Sequence, residues 1–528
     1  MRLQSENPGN KIIWKQQYAG FIEKGWYRVR YITTSAEMQA IDHTSIEEIG
    51  IPGMVLMEKA ALKMHDIIVE RFDRSNTICI AAGVGNNGGD GLALGRMLLE
   101  DGYDVTIQIV GNALRASDQF MDQMNILLSL GYMAVQEADY NKYDILIDGI
   151  FGVGLSRKVE GHYAEVIQAM NQSDAYKIAI DAPSGICCTT GKVLGTALKC
   201  DMTVTFGLMK RGLLLYPGND YAGEILLADI GFPKKAVERI CPSAYTYDKE
   251  DLKRLPGRKN NSHKGTYGKV LVIAGTVNMA GACYFSAKAA YLCGSGLVEI
   301  LTPEENRTIL QSLIPEAVMT TYRSTEEALQ LLREHRKVCK TAVIGPGMGQ
   351  NDTTRILLED MLKQYEGSLI IDADACNVLS EYQTILPDTK ADIVLTPHMK
   401  EASRILGRSI AQIEEDPFAC IREYAGNNHL TFVLKSARTL ISSGERLTFI
   451  NTSGNNGMST GGSGDVLTGM IAGLCSGGLS VPEAACLGVF CHGLAGDLAR
   501  KEKGTYSLLA SDLLNNIPGV FMQDIPGY

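Results

Sequence analysis

From Thr77 onward, apolar runs of strand length alternate with helical stretches, and the alternation occurs in two separate blocks. In the first, strand-like runs at 77–82, 104–110, 144–148 and 177–181 are separated by helical segments at 92–100, 117–130 and 162–172. Buried strands joined by helices of this length point to a parallel sheet covered on both faces. Upstream, one helix is expected from Thr33 with Ser35 as its N-cap, and a second after Pro52. Between Asp229 and Lys269 the rhythm stops in a charged stretch with three prolines, which places a domain boundary near Tyr245–Asp251. It resumes with runs at 269–274, 342–345, 369–372, 393–395 and 431–434. The fold class is therefore α/β, with one domain over 29–245, a second over 246–528, and an N-terminal extension, 1–28, that shows no periodicity.

Composition narrows the function. The chain has 528 residues, 45% apolar and 21% charged, which suits a globular protein with sizeable cores. A net charge of −10 argues against a general nucleic-acid binder. No uncharged stretch reads as a membrane span, and the N-terminus lacks the apolar core of a secretory signal. Thirteen cysteines, with no C-x-x-C pair, suit reduced thiols and a cytoplasmic location. The 55 glycines fall into clusters, and two of these clusters carry the functional signal.

The first cluster is GVGNNGGDG (residues 83–91), between a strand and a helix. Gly83, Gly85 and Gly88 fit the dinucleotide fingerprint, but the following strand ends in Val110-Gly111-Asn112 without the acidic residue that would hold a ribose. An ordinary hydride-transfer site is thus disfavoured. Two amides and a carboxylate at such a junction can bind a phosphate and a cation, or Asp90 can simply cap the helix. Asp148 in ILIDGIFGVGLSRKV and Asp181 and Ser184 in KIAIDAPSG stand at the next strand ends. Asn87, Asp148 and Ser184 offer oxygen ligands for a hard cation, although each singly is more often a turn residue.

Together GVGNNGGDG, DGIFGVGLSRKVEG, DAPSG and TFGLMKRG resemble the NAD(P)HX epimerase family over roughly residues 30–240. The resemblance implies a Rossmann-like three-layer domain that interconverts the R and S hydrates of NADH or NADPH. It assigns Asn86, Asn87, Gly88, Gly89 and Asp90 to the nucleotide. It adds the loop Gly152, Val153, Gly154, Leu155, Ser156, Arg157 and Lys158, together with Tyr163 and Asp181. It assigns Asn87, Asp148 and Ser184 to potassium. Epimerisation needs acid/base help as hydroxide leaves and water returns, and Asp181 and Lys210 are the candidates. Lys210 could equally be a surface or phosphate-contacting lysine.

The second cluster lies in NTSGNNGMSTGGSGDVLTGMIAGL (residues 451–474). There GGSGD precedes an apolar helix, so backbone N–H groups and the helix dipole can form an anion hole beside Asp465. Asp372 and Asp374 could bind magnesium through water or cap a helix. His398 could be a buried turn histidine or a ligand contact. With NMAGACYF, VIGPGMG, IDADACN, LTPHMKEA and LKSARTLI, this half is similar to the ADP/ATP-dependent NAD(P)HX dehydratases over roughly 250–525.

The implied fold is ribokinase-like α/β. Ala282, Gly347, His398 and Asp465 would contact the hydrate. Lys435, Ser436, Ala437, Arg438, Thr439 and Gly464 would contact the adenine nucleotide. Asp465 would deprotonate the hydrate hydroxyl as it attacks the terminal phosphate, and loss of phosphate would restore NAD(P)H. The expected ligands are NADHX or NADPHX, ADP in preference to ATP, K+ and Mg2+, and the expected state is a homo-oligomer. The competing readings are a ribokinase-like small-molecule kinase and a non-catalytic nucleotide-binding module in the first half.

Overall fold

The computed structural model describes residues 12–13 and 29–522. The expected N-terminal extension lies outside the described residues apart from Ile12–Ile13, which pairs parallel with Glu224–Ala228. Two compact units divide the described chain between Ala244 and Tyr245, and Val29–Arg30 goes with the second unit.

The first unit holds a seven-stranded sheet. Outward from Ile12–Ile13, the order is Glu224–Ala228, Met202–Phe206, Tyr176–Ile180, Ile145–Gly149, Thr77–Gly83 and Asp104–Val110, and all these neighbours pair parallel. Ile78, Ile80, Ile145, Ile147, Ile178 and Ile180 are fully buried, as expected for strands covered on both faces. The strand order reverses direction between Thr77–Gly83 and Ile145–Gly149. Open α/β sheets bind ligands at the carboxyl end of such a switch point.

The helix after the first strand starts at Asn86, earlier than its glycines suggested. Gly85 is the N-cap, so Asp90 sits in the second turn and does not cap the helix. Similarly, Thr34 and not Ser35 caps the first helix, Ser35–His43, through a capping box with Glu37.

In the second unit the parallel strands run Val318–Tyr322, Leu297–Pro303, Lys269–Ile273, Thr341–Ile344, Ser368–Ile371, Asp392–Leu395 and Thr431–Leu434. Leu440–Ser442 and Thr448–Ile450 follow antiparallel. The switch point lies between Lys269–Ile273 and Thr341–Ile344. Helix Ser463–Ser476 packs along Ala280–Leu292 with little separation. A methyl group at Gly469 would lie 2.1 Å from the Ser286 carbonyl oxygen. This contact fixes the start of the Ser463–Ser476 helix, and with it Asp465, against the sheet.

Candidate functional site

In the first unit, residues from the ends of four strands and from the first helices enclose a cavity of about 810 Å3. Its wall includes Asn86, Asn87, Asp90, Gly152, Val153, Gly154, Leu155, Ser156, Arg157, Tyr163, Asp181 and Lys210. Gly88 and Gly89 lie beneath it and Lys158 is exposed outside it, so these three do not line it. Gly88 is where helix and strand meet most closely, because a methyl group there would sit 1.6 Å from the Gly83 carbonyl oxygen. Gly88→Ala is expected to destabilise this unit by about 3 kcal/mol or more, since backbone has to move. The denaturation midpoint followed by epimerase activity should fall, with dehydration preserved.

Below the cavity, Asp148 is completely buried. Ser184 donates to it through its backbone N–H (2.7 Å, to Oδ2) and its hydroxyl (2.6 Å, to Oδ1), and the Ile150 N–H donates to Oδ1 at 3.1 Å. Burial outweighs these bonds and pushes the carboxyl up to about 6. No cationic side chain pairs with it among the described residues. Asn87 contributes a buried Nδ2 with no hydrogen-bond partner, and its Oδ1 lies 2.8 Å from where a Cβ on Gly152 would be. A buried carboxylate without a counter-charge fits a monovalent cation, for which the Asn87 amide would have to offer its oxygen, because the unpartnered Nδ2 is a donor.

Deeper in the wall, the Lys210 ammonium donates to Asp181 Oδ1 at 2.5 Å and to the Phe206 carbonyl at 2.7 Å. Lys210 is only 1% exposed, which excludes the surface-lysine alternative. Asp181 Oδ1 also accepts from the Thr205 hydroxyl and the Phe206 N–H, both at 3.2 Å. Asp181 has a φ of +65°, an uncommon conformation for a side chain of this kind, at the turn that carries it into the cavity. Asp42 also faces the cavity and was missed from the sequence. Its signal was an acidic residue on the face defined by buried Met38, Ile41 and Ser45.

The second unit collects its candidates at the carboxyl ends of strands. Lys435 follows Thr431–Leu434, and its ammonium donates to Asp372 Oδ1 at 2.7 Å. The Thr468 hydroxyl donates to Asp372 Oδ2 at 2.7 Å, so both oxygens of this buried carboxylate are engaged within the protein. Asp372 stands at the N-cap position of the next helix, but its side chain makes no capping hydrogen bond there. Asp374 accepts the Gly349 N–H through Oδ2 only.

Asp465 stands in the first turn of Ser463–Ser476. Burial first, then Asp372, pushes its carboxyl up to about 7 against the opposing effect of Lys435. A Cβ on Gly464 would lie 3.4 Å from the Lys435 ammonium, and one on Gly347 would lie 2.9 Å from Ala282 Cβ, so these assigned residues adjoin. His398 pairs in register with Lys435 and caps Met399–Leu406 reciprocally with Glu401. Its side chain is 53% exposed, contrary to a buried turn histidine. In the turn after Lys435, Ser436 and Ala437 are exposed. Arg438 and Thr439 are buried, and Arg438 donates to the Thr452 carbonyl at 3.2 Å.

Sequence reasoning missed Thr468 and Asp497. Thr468 lies one helical turn after Asp465 and was detectable from that spacing. Asp497 accepts the Gly454 N–H and the Asn455 Nδ2–H, both at 3.0 Å, and so anchors the loop leading to GGSGD. No short-range pattern signals that contact.

Two family models match: the YjeF-related protein N-terminus over residues 53–212 and NAD(P)H-hydrate dehydratase over 270–519. The bifunctional NAD(P)H-hydrate repair enzyme Nnr of Moorella thermoacetica is 36% identical, covering 93% of this chain and 96% of that protein. Its counterpart in Thermofilum pendens is 34% identical, covering 92% and 94%. The structure of an ADP/ATP-dependent NAD(P)H-hydrate dehydratase from Bacillus subtilis, co-crystallized with ATP/Mg2+, aligns with a TM-score of 0.47 and 27% identity, over 52% of this chain and 97% of that one. With similarity running through both units, this chain belongs to the bifunctional NAD(P)H-hydrate repair enzymes.

Proposed function

We propose that the first unit epimerises R- and S-NAD(P)HX in the cavity above Asp148, and that the second dehydrates S-NAD(P)HX at Asp465 using ADP. The observation that supports this reading is that both assigned residue sets gather at the carboxyl ends of strands in two separate parallel sheets, within a chain of which 93% aligns with a bifunctional relative.

In the first unit, Asn86 and the 152–157 loop hold the nucleotide, with Tyr163 beside the loop. Asp181, oriented by Lys210, handles a proton on the oxygen that leaves or rejoins the ring carbon. Asn87, Asp148 and Ser184 would hold potassium, which supplies positive charge for the nucleotide phosphates.

In the second unit, Asp465 takes the proton of the hydrate hydroxyl, and the backbone N–H groups of the GGSG turn face the charge that develops on the phosphate. Lys435 is oriented toward the nucleotide by Asp372. Burial alone would lower its affinity for a proton, but Asp372 and Glu401 raise it, so it remains a cation. Gly464 and the 435–439 turn accommodate ADP, and Ala282, Gly347 and His398 flank the hydrate. Magnesium would arrive with the nucleotide, held by phosphate and water, with Asp374 as the carboxylate that has an oxygen free.

Asp465 acts as a base and must be ionised. Dehydration is therefore expected to rise with pH through about 7 and to fall on the acid side. The pH profile of kcat/KM for the S hydrate checks this, and a profile flat across neutrality contradicts it.

A further inference from the structure

The cavity of the first unit is lined by three carboxyl groups, Asp42, Asp90 and Asp181, and one ammonium group, Lys210, in its deep part. Lys210 is committed to Asp181 and the Phe206 carbonyl. Arg115 and Arg157 also line the cavity, where the assigned nucleotide loop runs. Asp42 comes from the helix Ser35–His43, an element to which no assigned site residue belongs. Its carboxyl makes no hydrogen bond or ion pair among the described residues. It is neither a cap nor half of a structural pair, and it faces the space a ligand fills.

We propose that Asp42 is the acid that protonates the departing hydroxyl in epimerisation, with Asp181 as the base for the returning water. This proposal rests on the epimerase reading of the cavity.

In the step, the Asp42 proton passes to the hydroxyl and the C–O bond breaks. The ring nitrogen lone pair forms a C=N bond and water leaves. Water then adds to the opposite face of that carbon. Its surplus proton goes to Asp181, and the electron pair of the C=N bond returns to nitrogen. The net change is one proton lost by Asp42 and one gained by Asp181. After the product leaves, Asp181 gives its proton to solvent and Asp42 takes one from solvent, which resets both for the next turnover.

The charges around Asp42 agree with a protonated acid. Burial and then Asp181 raise its pKa, while His43 on its own helix and Lys210 oppose this. Asp90, across the cavity, is itself pushed up by burial, Asp181 and Asp42. A carboxyl in a partly buried site without hydrogen-bond or ion-pair partners, as Asp42 is, holds its proton more tightly than a free one.

The test uses the full chain carrying Asp465→Asn, so that dehydration does not drain the S hydrate, and follows R-to-S conversion by chromatography. Adding Asp42→Asn should lower kcat by about 10²-fold or more with KM within a few fold, and should remove the alkaline limb of the pH profile. Asp42→Glu should recover part of the rate. If Asp42→Asn keeps the parent rate and pH profile while Asp90→Asn loses them, Asp90 is the acid and the proposal is wrong. If Asp181→Asn also converts R to S at the parent rate, the epimerase reading of the cavity itself fails, a result distinct from either outcome for Asp42.

Discussion

Asp465→Asn should abolish ADP-dependent recovery of NADH from the S hydrate, by about 10³-fold or more, while leaving R-to-S epimerisation at its original rate. Asp465 lies in the first turn of a helix whose leading turn presents N–H groups to an anion, and its neighbours Asp372 and Lys435 are bonded to each other. Among the described residues its carboxyl has no hydrogen-bond or ion-pair partner, so the amide removes the base and disturbs little else. The same substitution should stabilise the unit at high pH. A carboxyl raised to about 7 in the folded state, against roughly 3.9 when unfolded, holds its proton better when folded. Stability therefore declines as pH rises from about 4 to 7, by up to about 4 kcal/mol, and the asparagine variant escapes that decline. Denaturation of both proteins at pH ~5 and ~8 reads the difference. Equal stability at the higher pH would contradict the raised carboxyl, and simultaneous loss of both activities in a folded protein would contradict two independent sites.

Lys210→Met should have the largest effect in the other unit. The buried Lys210 ammonium is the only cation bonded to Asp181 among the described residues, and removing it leaves a carboxylate enclosed without its partner. Loss of one member of a buried pair costs about 3–5 kcal/mol. Epimerisation should fall to the spontaneous rate, because Asp181 loses the contact that orients it. The double variant Lys210→Met/Asp181→Asn separates the two effects. It should regain much of the stability, since no charge is stranded, yet stay inactive. A double variant as unstable as the single one would mean that lysine packing, and not the ion pair, holds the site together.

What could be read from the sequence follows from how charge and glycine are used. The helix His162–Gln172 and the strand Thr431–Leu434 were read at their observed bounds, because each has an uninterrupted period. The strand Leu297–Pro303 was missed because Glu299 stands in its middle and breaks the apolar run. That glutamate is buried, receiving Lys269 Nζ and His335 Nδ1, both at 2.5 Å, and only the folded chain shows those partners. Met202–Phe206 was obscured by Thr203 and Thr205, whose hydroxyls are spent on the Ala222 carbonyl and on Asp181. Glycine misled in a different way. Residues 86–91 read as a loop on propensity, yet they begin a helix, and glycine stands at 88 because any side chain there would meet the Gly83 carbonyl. The assigned residues of each half were legible as short local motifs. Asp42 and Asp497 were not, since each acts on a segment distant in sequence.

The most direct test supplies purified R and S hydrates of NADH separately, with ADP and magnesium, and follows the absorbance of NADH. The S hydrate should be recovered at once and the R hydrate through epimerisation. Asp181→Asn should recover S normally and R only at the spontaneous rate. If neither hydrate yields NADH, and the protein instead transfers phosphate from a nucleotide to a sugar or pyrimidine alcohol, the second unit is a small-molecule kinase and the account is wrong.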